Sequence, residues 1–94
     1  MIESGMNIRI RTKEEWEVFV EVGTKEGITW SGGGSLTTSI SYYERSIQVG
    51  MWEPNTITWC DLNYKCRECP NIVEASDLFR NQLISRKIKE GKHA

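Results

Sequence analysis

Residues 12–34, TKEEWEVFVEVGTKEGITWSGGG, read as a helix start, a helix, a stop, a short strand and a glycine-rich loop. Thr12 and Glu15 stand at capping-box spacing, in which each side chain takes an orphan backbone N–H of the first turn. Trp16, Phe19, Val20 and Gly23 recur at i, i+3, i+4 and i+7, one face of a helix running from Lys13 to Glu26. Gly27 follows where a left-handed C-terminal cap is wanted. Gly23 lies on the apolar stripe, where a missing side chain lets a strand approach closely. Glu14, Glu15, Glu17 and Glu21 fall on the side away from Trp16 and Phe19, and read as a solvated face rather than as catalytic carboxylates.

Outward from this helix, Asn7 to Arg11 alternates Ile8 and Ile10 against Arg9 and Arg11, the period of a half-buried strand. Ile28 to Trp30 is a short strand. Ile40 to Tyr43 reads as an extended lead into the next one. Ile47 to Trp52 alternates Ile47, Val49 and Met51 against Gln48, Gly50 and Trp52. Glu53-Pro54-Asn55-Thr56 then puts proline at its favoured turn position. Thr56 to Cys60 resumes the alternation with Ile57 and Trp59 on one face, which makes a β-hairpin. Asp61 to Cys69 is a polar turn or loop closed by Pro70, and Ile72 to Ala75 is the last strand. Ser76 and Asp77 are N-cap residue types ahead of Phe79, Leu83, Ile84 and Ile88, the stripe of a C-terminal amphipathic helix with a basic, dipole-complementing end.

The order β-α-β-β-β-β-α predicts an α+β fold, a small antiparallel β-sheet with one main helix packed on a face and a second helix at the C-terminus. The 94 residues make one domain. Residues 7–79 form its compact core and residues 80–94 a basic helix or tail. Most of the four tryptophans are expected in that core, where each buries a large area.

Net charge is −1 but unevenly spread, at −2 over residues 1–30, −3 over 31–79 and +4 over 80–94. A mildly acidic body disfavours a nucleic-acid partner, which calls for a basic face. It also lacks the dense negative charge of a DNA mimic. Arg86, Lys87, Lys89 and Lys92 read as a solvated helix end before a contact for nucleic acid or an acidic partner. No run of about 18 apolar residues exists to span a membrane, and no apolar signal segment opens the chain. Three cysteines, an odd number, argue against a secreted disulfide scaffold and for a reducing cytoplasm.

Catalytic chemistry is not expected. The single histidine, His93, is next to last, so hydroxyl and thiol nucleophiles lack a base within the domain. Cys60, Cys66 and Cys69 form C-x5-C-x2-C, but a tetrahedral structural metal needs a fourth ligand that does not follow. No metal and no cofactor are expected. The SGGGS stretch, residues 31–35, meets neither of the glycine-rich phosphate motifs. It is either a mobile connection or a binding loop. As a loop, Gly32, Gly33, Gly34 and Ser35 offer bare N–H groups and a hydroxyl, with Tyr42, Tyr43 and Arg45 close behind. Backbone N–H groups, aromatic rings and a guanidinium suit a nucleotide or phosphodiester ligand. The same composition suits a protein-binding loop. Trp52, opposite Ile47 and Val49, is a second stacking candidate.

Three segments, TKEEWEVFVEVGTKEGITWSGG (12–33), NTITWCD (55–61) and NIVEASDLF (71–79), together resemble a loose group of small phage-encoded proteins. These open on a strand, an "EEWE" helix and a "G-x-x-W" strand, and close on a strand running into "SDLF". The resemblance supplies no catalytic residues. It implies a phage origin, this order of elements and a counter-defence role in the cytosol of a host bacterium. Where that group carries serine and other polar residues, this chain has Cys60, Cys66 and Cys69, and its glycine loop is longer. Residues and resemblance together lead to a non-enzymatic binding protein that blocks bacterial immunity. A sponge for a nucleotide immune signal, acting as a homo-oligomer, comes ahead of an anti-CRISPR-like inhibitor that binds a host defence protein directly. A small DNA-binding or structural accessory protein is the remaining alternative.

Overall fold

The computed structural model describes residues 1–93, and the side chains of residues 90–93, Lys92 and His93 among them, lie outside the described residues. Its elements are β1 (Met6–Ile10), α1 (Lys13–Lys25), β2 (Thr29–Trp30), β3 (Arg45–Val49), β4 (Thr56–Asp61), β5 (Asn71–Glu74), α2 (Ala75–Leu78) and α3 (Arg80–His93). The α+β class and the element order follow the sequence pattern, with the C-terminal helix divided into α2 and α3.

Helix α1 starts and stops where its capping residues place it. The Glu15 N–H donates to Thr12 Oγ1 at 3.2 Å, a cap of the kind that contributes about 1 kcal/mol. The reciprocal bond is displaced by one residue, because Glu15 Oε1 accepts from the Arg11 N–H at 2.9 Å. That bond draws Glu15 into a buried position, so it leaves the solvated face to which the helical spacing assigned it. At the other end Gly27 has φ +77°. Ile28 N–H donates to Gly23 O at 2.8 Å and Gly27 N–H to Thr24 O at 3.2 Å, a Schellman closure. The room over Gly23 is taken by a loop residue rather than a strand. A Cβ at Gly23 would stand 2.7 Å from Leu36 Cδ1.

The five strands lie in the order β2-β4-β3-β1-β5. Pairs β1–β3 and β3–β4 are antiparallel, whereas β1–β5 and β2–β4 are parallel. The sheet is therefore mixed and not antiparallel, with β3 alone running against the other four. The physical reason lies in two long connections. Helix α1 carries the chain from β1 to β2, and residues 62–70 carry it from β4 to β5. Each crosses over to the end of the sheet where the preceding strand began, so the next strand runs parallel to it.

The hairpin is shorter than its alternation suggested. Strand β3 ends at Val49, Gly50 N–H donates to Thr56 O at 2.8 Å, and the Pro54 turn closes inside this wider loop with Thr56 N–H on Glu53 O at 3.3 Å. Residues 40–43 form no strand, since they lie in the connection between β2 and β3.

Ile8 faces Ile47 and Val49 faces Ile57 across the ladders. With Ile10 they meet Trp16, Val18, Phe19 and Val22 of α1 in one core cluster, which Phe79 completes. Of the four tryptophans only Trp16 is fully buried. The opposite face of the sheet is polar yet closed. Asn7, Ser46 and Gln48 are fully buried there, and Asn7 Nδ2 donates to Tyr64 O of the covering 62–70 segment at 2.9 Å.

Strand β5 runs straight into α2, so Glu74 takes the N-cap position and Ser76 and Asp77 fall inside the helix. Helix α3 meets α1 through Arg86, whose guanidinium lies 3.1 Å from Glu17 and 3.4 Å from Glu21. Arg86 is thus a docking residue and not a free tail cation. No helix among the described residues is long and apolar enough to cross a membrane.

Candidate binding site

A run of aromatic rings passes from the core to the surface at the β2–β4 end of the sheet. Phe79 meets Phe19 with centroids 6.2 Å apart, and Phe19 stacks on Trp16 at 5.5 Å. Trp16 then touches Trp30 at 6.1 Å and Tyr42 at 5.2 Å, Tyr42 lies 4.9 Å from Trp30, and Trp59 follows 5.8 Å beyond Tyr42. Offset and edge-on contacts at these separations are favourable for aromatic quadrupoles. The run emerges at Trp59, 45% exposed, and Tyr43, 43% exposed, lies next to Tyr42 in the chain.

Arg45 completes the face. Its Cζ lies 5.2 Å from the Trp59 ring centroid, the geometry of a cation–π contact. The contact follows from register. Ile47 is opposite Trp59 and Arg45 opposite Asp61 in the β3–β4 ladder, so Arg45 and Trp59 are diagonal neighbours on one face. Arg45 Nη1 donates to Glu44 O at 3.0 Å. Among the described residues no carboxylate pairs with this guanidinium, although Asp61 is its cross-strand partner.

The glycine segment sits beside this face as an ordered turn. Ser31 N–H donates to Ile57 O at 3.0 Å, Gly33 N–H to Trp30 O at 2.8 Å, and Trp30 N–H to Gly34 O at 2.9 Å. Ser35 bridges back to Thr29. The Gly33 N–H is therefore spent within the turn, while those of Gly32 and Gly34 have no backbone acceptor among the described residues. Leu36, buried at Gly23, and Tyr42, wedged between Trp16, Trp30 and Trp59, hold the connection at both ends.

Of the residues singled out from sequence, Tyr42 joins the aromatic run and Arg45 lies on Trp59, while Gly32, Gly33, Gly34 and Ser35 form the turn that follows Trp30 and Tyr43 follows Tyr42 in the chain. Their roles differ. Tyr42 is spent on packing, and Tyr43 is the ring left to solvent. Trp52 is 71% exposed in the loop beyond the far end of β3, roughly 13 Å of strand away from Arg45. It does not join the site. Trp30 and Trp59 belong to it, and sequence reasoning treated both only as strand residues. Trp59 is recoverable from its position two residues past Ile57, but only after the hairpin register is known.

Two other groupings contrast with this face. The groove between α1 and α3 is lined by Glu21, Asn81, Gln82, Ser85, Arg86 and Lys89, and its arginine is already held by two carboxylates. Among the described residues no three His, Cys, Asp or Glu side chains gather as a metal-holding group. Compared with protein-family models, curated proteins and solved structures, the chain matches none.

Proposed function

We propose that this chain is a non-enzymatic binding protein that captures a nucleotide-type ligand on the Arg45–Trp59 face. The observation that carries this reading is a guanidinium laid on an exposed indole, with no carboxylate competing for it among the described residues. The free donors of Arg45 suit a phosphate, which guanidinium groups bind in charge-assisted pairs. Trp59 and Tyr43 supply ring surface for a base, a contact of about 1–3 kcal/mol. The N–H groups of Gly32 and Gly34, without a backbone acceptor among the described residues, are offered as further phosphate donors. Because the face is open, a second copy of the chain laid against it encloses the ligand. Under this proposal, which draws on the resemblance to small phage proteins, the capture takes place in the cytosol of an infected bacterium and removes an immune signal.

One feature favours a second reading, direct inhibition of a host defence protein. Trp, Tyr and Arg on an open face are the residue types that dominate protein–protein contacts.

Titration calorimetry and native mass spectrometry with cyclic dinucleotides and cyclic ADP-ribose-type nucleotides separate the two. The nucleotide reading expects a retained nucleotide and its loss in Arg45→Ala with the fold retained. No binding to any of these probes, together with a stable complex between the chain and a defence protein lost in Trp59→Ala, overturns it for the second reading.

A further inference from the structure

The 62–70 segment that covers the polar face of the sheet carries two cysteines against the end of β3. Cys66 Sγ lies 3.3 Å from Met51 Sδ. The Cys69 N–H donates to Cys66 O at 3.3 Å, a turn that draws the two cysteines toward each other. Both cysteines are buried, and the Cys69 thiol donates to Val49 O at 3.4 Å. Met51 comes from the wide hairpin loop, so the cluster joins two segments far apart in sequence. Glu68 Oε2 lies 3.4 Å from Cys66 Sγ. Cys60 is half-buried on β4 and shares none of these contacts.

We propose that Cys66, Cys69 and Met51 form a binding site for a soft monovalent d10 metal ion, Cu(I) in the first instance. Donor count and donor type decide the metal. Structural zinc takes four ligands in a tetrahedron, and two thiols with one thioether do not make four. Thiolate and thioether sulfur are the ligands that select Cu(I). With metal–sulfur bonds of about 2.3 Å, a trigonal S3 array has sulfur–sulfur edges of about 4 Å. The observed separation of Cys66 and Met51 needs only a small outward movement to reach this. On binding, two S–H bonds break, two copper–thiolate bonds form, and two protons pass to solvent. The ion keeps its oxidation state, so no oxidant or reductant is consumed. Sequence reading set this C-x-x-C aside for want of a fourth ligand, and Met51 entered only through the tertiary contact.

The test is anaerobic titration of the reduced full chain with Cu(I) against the chromophoric chelator bathocuproine disulfonate, with native mass spectrometry and X-ray absorption on the product. The expected result is one copper per chain, near-ultraviolet thiolate-to-copper absorption and a first shell of sulfur alone. Cys66→Ser and Cys69→Ser each lose the stoichiometric copper, Met51→Leu keeps it but yields it to less chelator, and Cys60→Ser behaves as wild type. Circular dichroism of each variant separates lost binding from lost fold. Should a serine variant unfold, the sulfur count of the wild-type shell and the Met51→Leu shift carry the test. Oxygen or nitrogen in that shell, loss of copper in Cys60→Ser, or no withdrawal of copper from the chelator by wild type overturns the proposal.

Discussion

Arg45 and Trp59 face the same side of the β3–β4 ladder as diagonal neighbours, with the guanidinium carbon 5.2 Å from the indole centroid. Such a contact contributes about 0.5–1 kcal/mol at an exposed site. Arg45→Ala is therefore expected to lower stability by no more than about 1 kcal/mol, measured by denaturant melts. Tryptophan fluorescence should report a changed environment for Trp59. A loss several times larger would mean that Arg45 holds the fold and not the face.

Glycine positions separate conformation from space. Gly27 and Gly50 both have left-handed backbones, φ +77° and +71°. A Cβ at Gly27 meets nothing within 4 Å, whereas one at Gly50 stands 2.7 Å from Ser4 Cβ and 3.2 Å from Ser4 Cα. Gly27→Ala should cost about 1 kcal/mol, the left-handed penalty alone. Gly50→Ala should cost more, up to about 3 kcal/mol, since the N-terminal segment must also move. Equal losses in thermal melts would contradict the close approach of Ser4.

Asn7 fastens the segment that covers the polar sheet face. Its amide donates to Tyr64 O at 2.9 Å, and its carbonyl accepts from Gln48 Nε2 at 3.3 Å. Replacing it leaves the Tyr64 carbonyl and one N–H of the buried Gln48 amide without their partners, which costs about 1–3 kcal/mol. Asn7→Leu is expected to lose that much stability and to raise amide exchange in residues 62–70. Unchanged exchange there would show that the segment is held by its cysteines instead.

Acid should weaken one end of the sheet. The hydrogen bonds that Arg11 donates to Glu74, at 2.8 and 2.9 Å, hold the Glu74 carboxyl below the usual 4.5. A lowered folded-state pKa gives stability that is present above 4.5 and is lost as pH falls through the lowered value. The pair is exposed to solvent, which screens it, so its share is small. Glu74→Gln should be less stable than wild type at neutral pH and should converge with it below that window. A constant difference down to strong acid would remove the ion pair as the cause.

The fate of the two faces shows how far local pattern reaches. Thr12, Gly27 and the alternations around Ile8, Ile47 and Ile57 state their elements in the sequence, because capping and period two act between near neighbours. Gln48 and Ser46 alternate with Ile47 and Val49 as solvent residues would, yet both are fully buried. Nothing local announces that residues 62–70 will fold across them. Glu15 entered the interior because Arg11 offered an unpaired N–H.

The sequence alone determined the α+β class, the order of the main elements, and where α1 begins and ends. These depend on backbone preferences and hydrogen bonds spanning a few residues. Tertiary structure decided strand direction, which is set by where the long connections deliver the chain. It also placed Trp59 under Arg45, removed Trp52 to the far end of β3, and set Met51 against Cys66. Each of these is a contact between segments distant along the chain, fixed by sheet register and by what covers each face.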